Sequence, residues 1–258
     1  MKGWAIDMGK LLHFEFHKLI RQKSFYICLA VAVALIILSA YTSQLMYKDI
    51  EDTSALGLDG MNKMIAAASS GYLSMVVGVF IPIFVCEDYV SGTIRNIVTR
   101  GYTRLSIFSA KLICALVATV VMTVFSMATG YIIGTIFWGA GSTAFDSGVI
   151  KILLCQLAVI VAEASLFYAI STVLQKTGGA IAICLVLPMV MTIVLALTDT
   201  ALAEKDITLS GYWIERAASS IATLEATGED LKKALLTAVV YFVVTSVGSF
   251  LAVMKREY

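Results

Sequence analysis

Glu87-Asp88-Tyr89-Val90-Ser91-Gly92-Thr93-Ile94-Arg95-Asn96-Ile97-Val98-Thr99-Arg100-Gly101-Tyr102-Thr103-Arg104 is a polar break between two long apolar runs. Before it, residues 67–86 carry no charged side chain. After it, residues 106–137 carry only Lys111. About 20 consecutive apolar residues suffice for a helix to cross the hydrocarbon core of a bilayer. Both flanks therefore read as membrane spans, and the break reads as the loop that joins them outside the hydrocarbon.

Working outward gives four more runs of the same kind. The six candidate spans are 25–46, 67–86, 106–137, 150–174, 178–198 and 234–254. The third is too long for an upright span, so it must tilt, project beyond the bilayer or end in a separate short helix. Composition agrees. The chain has 258 residues, of which 59% are hydrophobic and 14% charged, and its mean hydropathy is +0.89. A soluble domain cannot hide that much apolar surface. The expected class is an all-α membrane protein organised as one domain over 1–258, with a short helical segment (1–24) ahead of a six-span bundle (25–258). The first span is preceded by a long leader and lacks a good cleavage site at Tyr41-Thr42-Ser43, so a retained helix is expected rather than a signal peptide.

Orientation follows from Lys and Arg. With the N-terminus inside, the inner segments hold Lys2, Lys10, Lys18, Arg21, Lys23, Arg95, Arg100, Arg104, Lys111, Lys176, Lys255 and Arg256, twelve of the 19 basic residues. The outer basic residues are diluted by acidic ones. This bias places both termini in the cytoplasm. Residues 1–24 are amphipathic, with Lys10, His13, His17 and Arg21 on one face and Met8, Leu11, Leu12, Phe16 and Leu19 on another. They predict a helix in the inner interface with Trp4 as an anchor. The His13-Phe14-Glu15-Phe16-His17 run departs from the zincin pattern and lacks a third ligand, so no metal site is expected. Cys28, Cys86, Cys114, Cys155 and Cys184 lie in or beside apolar runs and read as core residues, not disulfides.

Small residues recur every fourth position in two spans: Ser70, Ser74, Gly78 and Pro82 in the second, Ser126, Gly130 and Gly134 in the third. Such stripes let helices approach closely, and packing within the chain is the preferred role. In the fourth span Glu163 is a mid-membrane carboxylate, with Gln156 on the same face. It either lines a cavity or is a protonated group bonded to a neighbouring helix. The first outer loop, about 47–66, reads as a plain connector, and Gln175-Lys176-Thr177-Gly178-Gly179 as a tight inner turn. In the outer segment 199–233, Ile214, Ala217, Ala218, Ile221 and Leu224 form an apolar stripe beside Tyr212 and Trp213, predicting an amphipathic or re-entrant helix at the outer leaflet or a structured segment packed on the outer mouth of the bundle.

Within the opening segment, Ile94, Ile97 and Val98 repeat at helical spacing with Arg95, Asn96 and Arg100 off that face. Gly92 breaks the preceding span and Gly101 suits a helix C-cap. The chain thus leaves the membrane, makes a short helix across it, and returns near Arg104–Lys111. A capped basic helix there suits docking of a cytosolic partner. No P-loop, nucleophile elbow, HExxH motif or intramembrane catalytic pair is present, so this chain is not expected to be an enzyme or to bind nucleotide itself.

Glu87, then Ser91-Gly92-Thr93-Ile94-Arg95, then Arg100, Arg104 and Lys111 resembles the signature of ABC-2-type transporter permeases, and the span topology is similar to theirs. The resemblance implies the membrane subunit of an ABC exporter. Two such permeases, identical or related, would pair over two separate ATPase subunits that hold ATP and Mg, with no cofactor in this chain. The inner helix between spans two and three would be the coupling helix, with Glu87, Gly92, Thr93, Arg95, Arg100, Arg104 and Lys111 at the ATPase contact. Small bacterial permeases of this kind resemble exporters of antimicrobial peptides, including lantibiotic immunity systems, in the cytoplasmic membrane. Amphipathic, lipid-like or drug cargo would fit, with Gln156 and Glu163 lining its cavity; no nucleic-acid partner is implied. Two other classes stay open: an ATPase-independent secondary transporter or channel, and a membrane scaffold or sensor subunit.

Overall fold

The computed structural model describes residues 2–47, 58–141, 146–201, 210–224 and 226–254, and the side chains of these except residues 2–7 and residue 95. Lys255 and Arg256, and the side chains of Lys2, Trp4 and Arg95, all named above, lie outside what is described, as do residues 48–57 of the first outer loop and 202–209 of the last.

The described residues form ten α-helices: α1 (Lys2–Arg21), α2 (Lys23–Met46), α3 (Gly60–Ala68), α4 (Gly71–Val90), α5 (Thr93–Thr99), α6 (Arg104–Trp138), α7 (Ser147–Leu174), α8 (Thr177–Ala201), α9 (Ile214–Ser220) and α10 (Gly228–Met254). Among the described residues six helical stretches are long and apolar enough to cross a membrane: α2, α3–α4, α6, α7, α8 and α10. The all-α six-span expectation is met; five spans run a few residues longer than their apolar runs, and the second, α3–α4, covers 31 residues. The third span is one continuous helix of 35 residues. At 1.5 Å per residue it is about 50 Å long, well beyond a hydrocarbon core of roughly 30 Å.

Because the six spans alternate in direction, α1, α5 and the α7–α8 turn share the side of the termini, while α3 and α9 share the far side. The α4, α6 and α7 helices form the centre, and α2, α8 and α10 keep most of their surface exposed. Phe25, Phe80, Phe84, Phe108, Met122, Phe167 and Tyr168 fill the core. Phe80 and Phe84 stack with centroids 5.8 Å apart, and Phe108 meets Tyr168 edge-on at 5.2 Å. The Tyr168 hydroxyl donates to the Phe108 carbonyl across 2.9 Å, which satisfies the one polar atom of a fully buried ring. All five cysteines are buried and unbridged.

Two local expectations need correction. Residues 60–68, read as part of a plain connector, form α3. Its start is capped by the Asp59 carboxylate, which accepts from Asn62 N–H across 2.7 Å, and Gly60 N–H donates to the Gly139 carbonyl across 2.9 Å. α3 lies on α6 almost backbone to backbone. A Cβ on Gly130 would sit 2.6 Å from the Lys63 carbonyl oxygen, and one on Gly134 would sit 2.8 Å from Gly60 Cα. The α6 glycines thus face α3, while Gly78 of α4 faces Phe167 of α7 and the Cys184 carbonyl of α8. In the inner turn the left-handed position is held by Gln175 (φ 56°), and Gly178 and Gly179 lie inside the first turns of α8. On the far side, the stripe of α9 turns inward. Trp213, Ile214, Ala217 and Ile221 are buried against α7 and α10, as in the reading that packs this segment on the outer mouth of the bundle.

Candidate functional site

Two polar constellations stand out from the apolar bundle, one on each side. The first is built on the opening segment. α4 ends at Val90, and Gly92 takes the left-handed conformation (φ 71°) that starts α5. α5 ends with Arg100 N–H donating to the Ile97 carbonyl and Gly101 N–H to that of Val98. Gly101 is again left-handed (φ 88°). Thr103 then caps α6 by accepting from Ser106 N–H across 3.2 Å. The apolar face of α5 goes where its spacing points it. Ile94 is buried, and Ile97 and Val98 pack with Tyr102 against Leu11 of α1 and Ile107 and Ala110 of α6. Asn96, Thr99 and Arg100 are exposed on the other face, Thr93 is half-buried, and Arg104 is half-buried at the start of α6.

Beneath this hairpin is a charge cluster that the sequence only half revealed. Lys111 of α6 is 2% exposed and binds Asp88 of α4 and, at 3.2 Å, Glu15 of α1. Asp88 also binds Lys18, whose Nζ lies 3.9 Å from Glu87. Glu87 is exposed and accepts from Gln22 Nε2 across 2.9 Å. Both lysine ammonium groups lie over the Phe84 ring, Lys111 at 5.0 Å and Lys18 at 5.7 Å. The cluster therefore bolts α1 to both roots of the hairpin. Lys111 is inside this bolt and does not reach the outer surface of α5. Glu15, Lys18 and Asp88 were not singled out from sequence. The available signal was Leu11, Glu15 and Leu19, spaced by four, which put a carboxylate in the middle of the apolar face of α1. His13 and His17 are exposed on the opposite face of that helix from Glu15.

The second constellation is a cavity of about 310 Å³ in the far half of the bundle, between the α3–α4 break, α7, α8 and α9. Glu163, 5% exposed, projects into it from α7 and accepts from the Ser74 hydroxyl of α4. Glu215 of α9 accepts from Thr192 Oγ1 of α8 across 2.6 Å, and Trp213 Nε1 donates to the same Thr192 oxygen across 3.2 Å. Gln156, predicted beside Glu163, also lines the cavity, but its amide has a second task. Nε2 donates to the Ile65 carbonyl at the end of α3 (3.0 Å) and to the Ile221 carbonyl after α9 (2.9 Å). One side chain thus ties both far-side helices to α7.

The model of the ABC-2 family transporter proteins matches residues 11–199. The chain belongs to this family. The match runs from α1 through nearly all of α8, and so contains the α4–α5–α6 hairpin, every member of the charge cluster, Gln156 and Glu163. α9, α10 and Glu215 lie beyond it. No curated protein matches the chain. As an ABC-2 transporter protein it is a membrane component of an ABC transporter, and the family implies an ABC ATPase as partner.

Proposed function

We propose that this ABC-2 protein is the permease of an ATP-driven exporter in a bacterial cytoplasmic membrane, with both termini in the cytoplasm. Two copies, or one copy and a related chain, pair in the bilayer over two separate ATPase subunits. The α5 hairpin is the docking element, and Arg95, Arg100 and Arg104 with Thr93 supply its polar contacts. The observation that supports this most is the pairing of opposite faces. The outer face of α5 is polar and exposed, while its inner face and both roots are fixed to α1 and α6 by apolar packing and buried charge. A push on α5 is then transmitted to α4, α6 and α1 together, as a lever requires, because a close-packed interior deforms little. Lys111 serves the lever from within as the centre of the bolt, and Glu87 from its exposed edge, where it meets Gln22 and Lys18.

The cargo proposed is an amphipathic molecule, an antimicrobial-type peptide first and a lipid-like or drug compound second. Glu163 and Gln156 form the polar part of its site. The test is co-purification from nanodiscs of an ATPase encoded beside this chain, comparing wild type with a variant neutralised at Arg95, Arg100 and Arg104. Loss of the ATPase from a correctly inserted variant is expected. An ATPase retained at wild-type stoichiometry, or absent from wild type, overturns the docking assignment.

A further inference from the structure

The far-half cavity is short of hydrogen-bond donors. Glu163 and Glu215 arrive from different helices and line the same space, and among the described residues neither has a cationic side chain within 4.0 Å. The contacts to them are hydroxyls, from Ser74 to Glu163 and Thr192 to Glu215, together with a long contact of 3.5 Å from Trp213 Nε1 to Glu215. Arg216 stands exposed at the rim. Gln156, 2% exposed, has both amide hydrogens engaged by backbone carbonyls, which leaves its Oε1 buried and without a partner. Carboxylates at membrane depth are costly unless a cation or proton reaches them. A buried acceptor with no donor adds to that cost. The other walls are of two kinds: Ser69, Ser70 and Ser219 are polar, whereas Ala68, Val159, Ile160 and Ala218 are apolar.

We propose that this cavity binds an alkylammonium group, with Glu163 as the deep counter-ion, Glu215 as the second carboxylate and the apolar wall holding the alkyl stem. An ammonium supplies one positive charge and three N–H donors on a compact, rotatable head, and it has no acceptor that would compete with the oxygens already present; the rigid planar fork of a guanidinium suits two oxygens of one carboxylate rather than carboxylates arriving from different helices. A volume of about 310 Å³ is at the small end for ligand pockets. It accommodates one side chain or a small amine, not a folded peptide. The inference rests on the cavity being a cargo site and narrows the cargo to molecules that present a primary amine on an apolar stem.

Trp213 offers a direct readout. In the full-length protein in nanodiscs, Trp4→Phe and Trp138→Phe leave Trp213 as the sole tryptophan, and its Nε1 is bonded to the Thr192 hydroxyl that also contacts Glu215. Its emission is titrated with n-hexylammonium, 1-hexanol, n-hexylguanidinium and sodium ion. The expected result is a saturable change with hexylammonium and none with hexanol, sodium or hexylguanidinium. Glu163→Gln and, separately, Glu215→Gln raise the apparent Kd by about ten-fold or more, the loss of a charge-assisted hydrogen bond. Glu215 is only half-buried, so its variant keeps the test alive if Glu163→Gln does not fold. No saturable response to hexylammonium, an equal response to hexanol, sodium or hexylguanidinium, or an unchanged Kd in both variants overturns the proposal. The titration contains no ATPase. Its failure leaves the docking assignment untouched, and loss of docking in the arginine variant leaves this inference untouched.

Discussion

Lys111→Met removes the centre of the charge bolt while keeping the length of the side chain. Asp88 retains Lys18 after the change. Among the described residues Glu15 retains no partner: Lys111 is the cation paired with its Oε2, its Oε1 has no partner, and the residue is 0% exposed. Breaking a buried pair from one side costs about 3–5 kcal/mol, because the remaining charge is stranded. The single variant is therefore expected to lose about 3–5 kcal/mol, a fall in melting temperature on the order of 10 °C. Glu15→Gln alone leaves Lys111 its bond to Asp88 and is expected to cost no more than about 1–2 kcal/mol. In the double variant no charge is stranded at position 15, so the two losses should overlap by about 2 kcal/mol rather than add. The assay is already in the chain. All five cysteines are buried, so a thiol-reactive fluorogenic dye reports unfolding as the purified protein is heated. Limited proteolysis across Ser91–Gly101 gives a second readout, since the roots of the hairpin loosen when the bolt is cut. A Lys111→Met protein within about 1 kcal/mol of wild type, or strictly additive losses, would refute the reasoning.

Three further outcomes follow from the packing. Gly130→Leu drives a side chain into the Lys63 carbonyl, since even a Cβ would lie 2.6 Å from it; α3 should be displaced, at a cost of about 3 kcal/mol or more, seen as a lower melting temperature and a newly reactive cysteine placed at Ala67. Gln156→Leu leaves the Ile65 and Ile221 carbonyls without their shared donor and should cost about 1–3 kcal/mol, with faster amide exchange in α3 and α9. Gly92→Val places a β-branched residue at φ 71° and should cost about 1–2 kcal/mol, weakening ATPase co-purification more than it lowers stability if α5 is the docking helix.

Hydropathy alone disclosed the six spans, because a segment with no water to satisfy its backbone must be helical and apolar along its whole length. The hairpin was equally legible. Ile94, Ile97 and Val98 pack inward and Gly92 and Gly101 turn left-handed, as their spacing and type require. What stayed hidden was short or depended on partners distant in the chain. α3 has nine residues, including Asn62 and Lys63, so it falls below any spanning signal; the Asp59 cap was its one local mark. The stripe of α9 was visible, but whether it meets lipid or protein is decided by Cys155, Val159 and Ala162 of α7, about 60 residues away. Glu15 carried no local mark of its role because its partner Lys111, and the Asp88 that shares that lysine, are on other helices. Glu163 was readable as a mid-membrane acid, yet the second carboxylate of its cavity comes from α9 and was in plain sight only as one of many outer acidic residues.

Site-specific photocross-linking tests the central claim most directly. A benzophenone amino acid placed at Asn96 or Thr99, both exposed on α5, is compared with one at Lys151 or Lys232, both exposed at the far ends of α7 and α10. In cells that express an ABC ATPase with which the protein co-purifies, the account predicts an ATPase adduct from Asn96 and Thr99 and none from Lys151 and Lys232. An adduct from the far-side positions, or none from α5 while the ATPase still co-purifies, would contradict it.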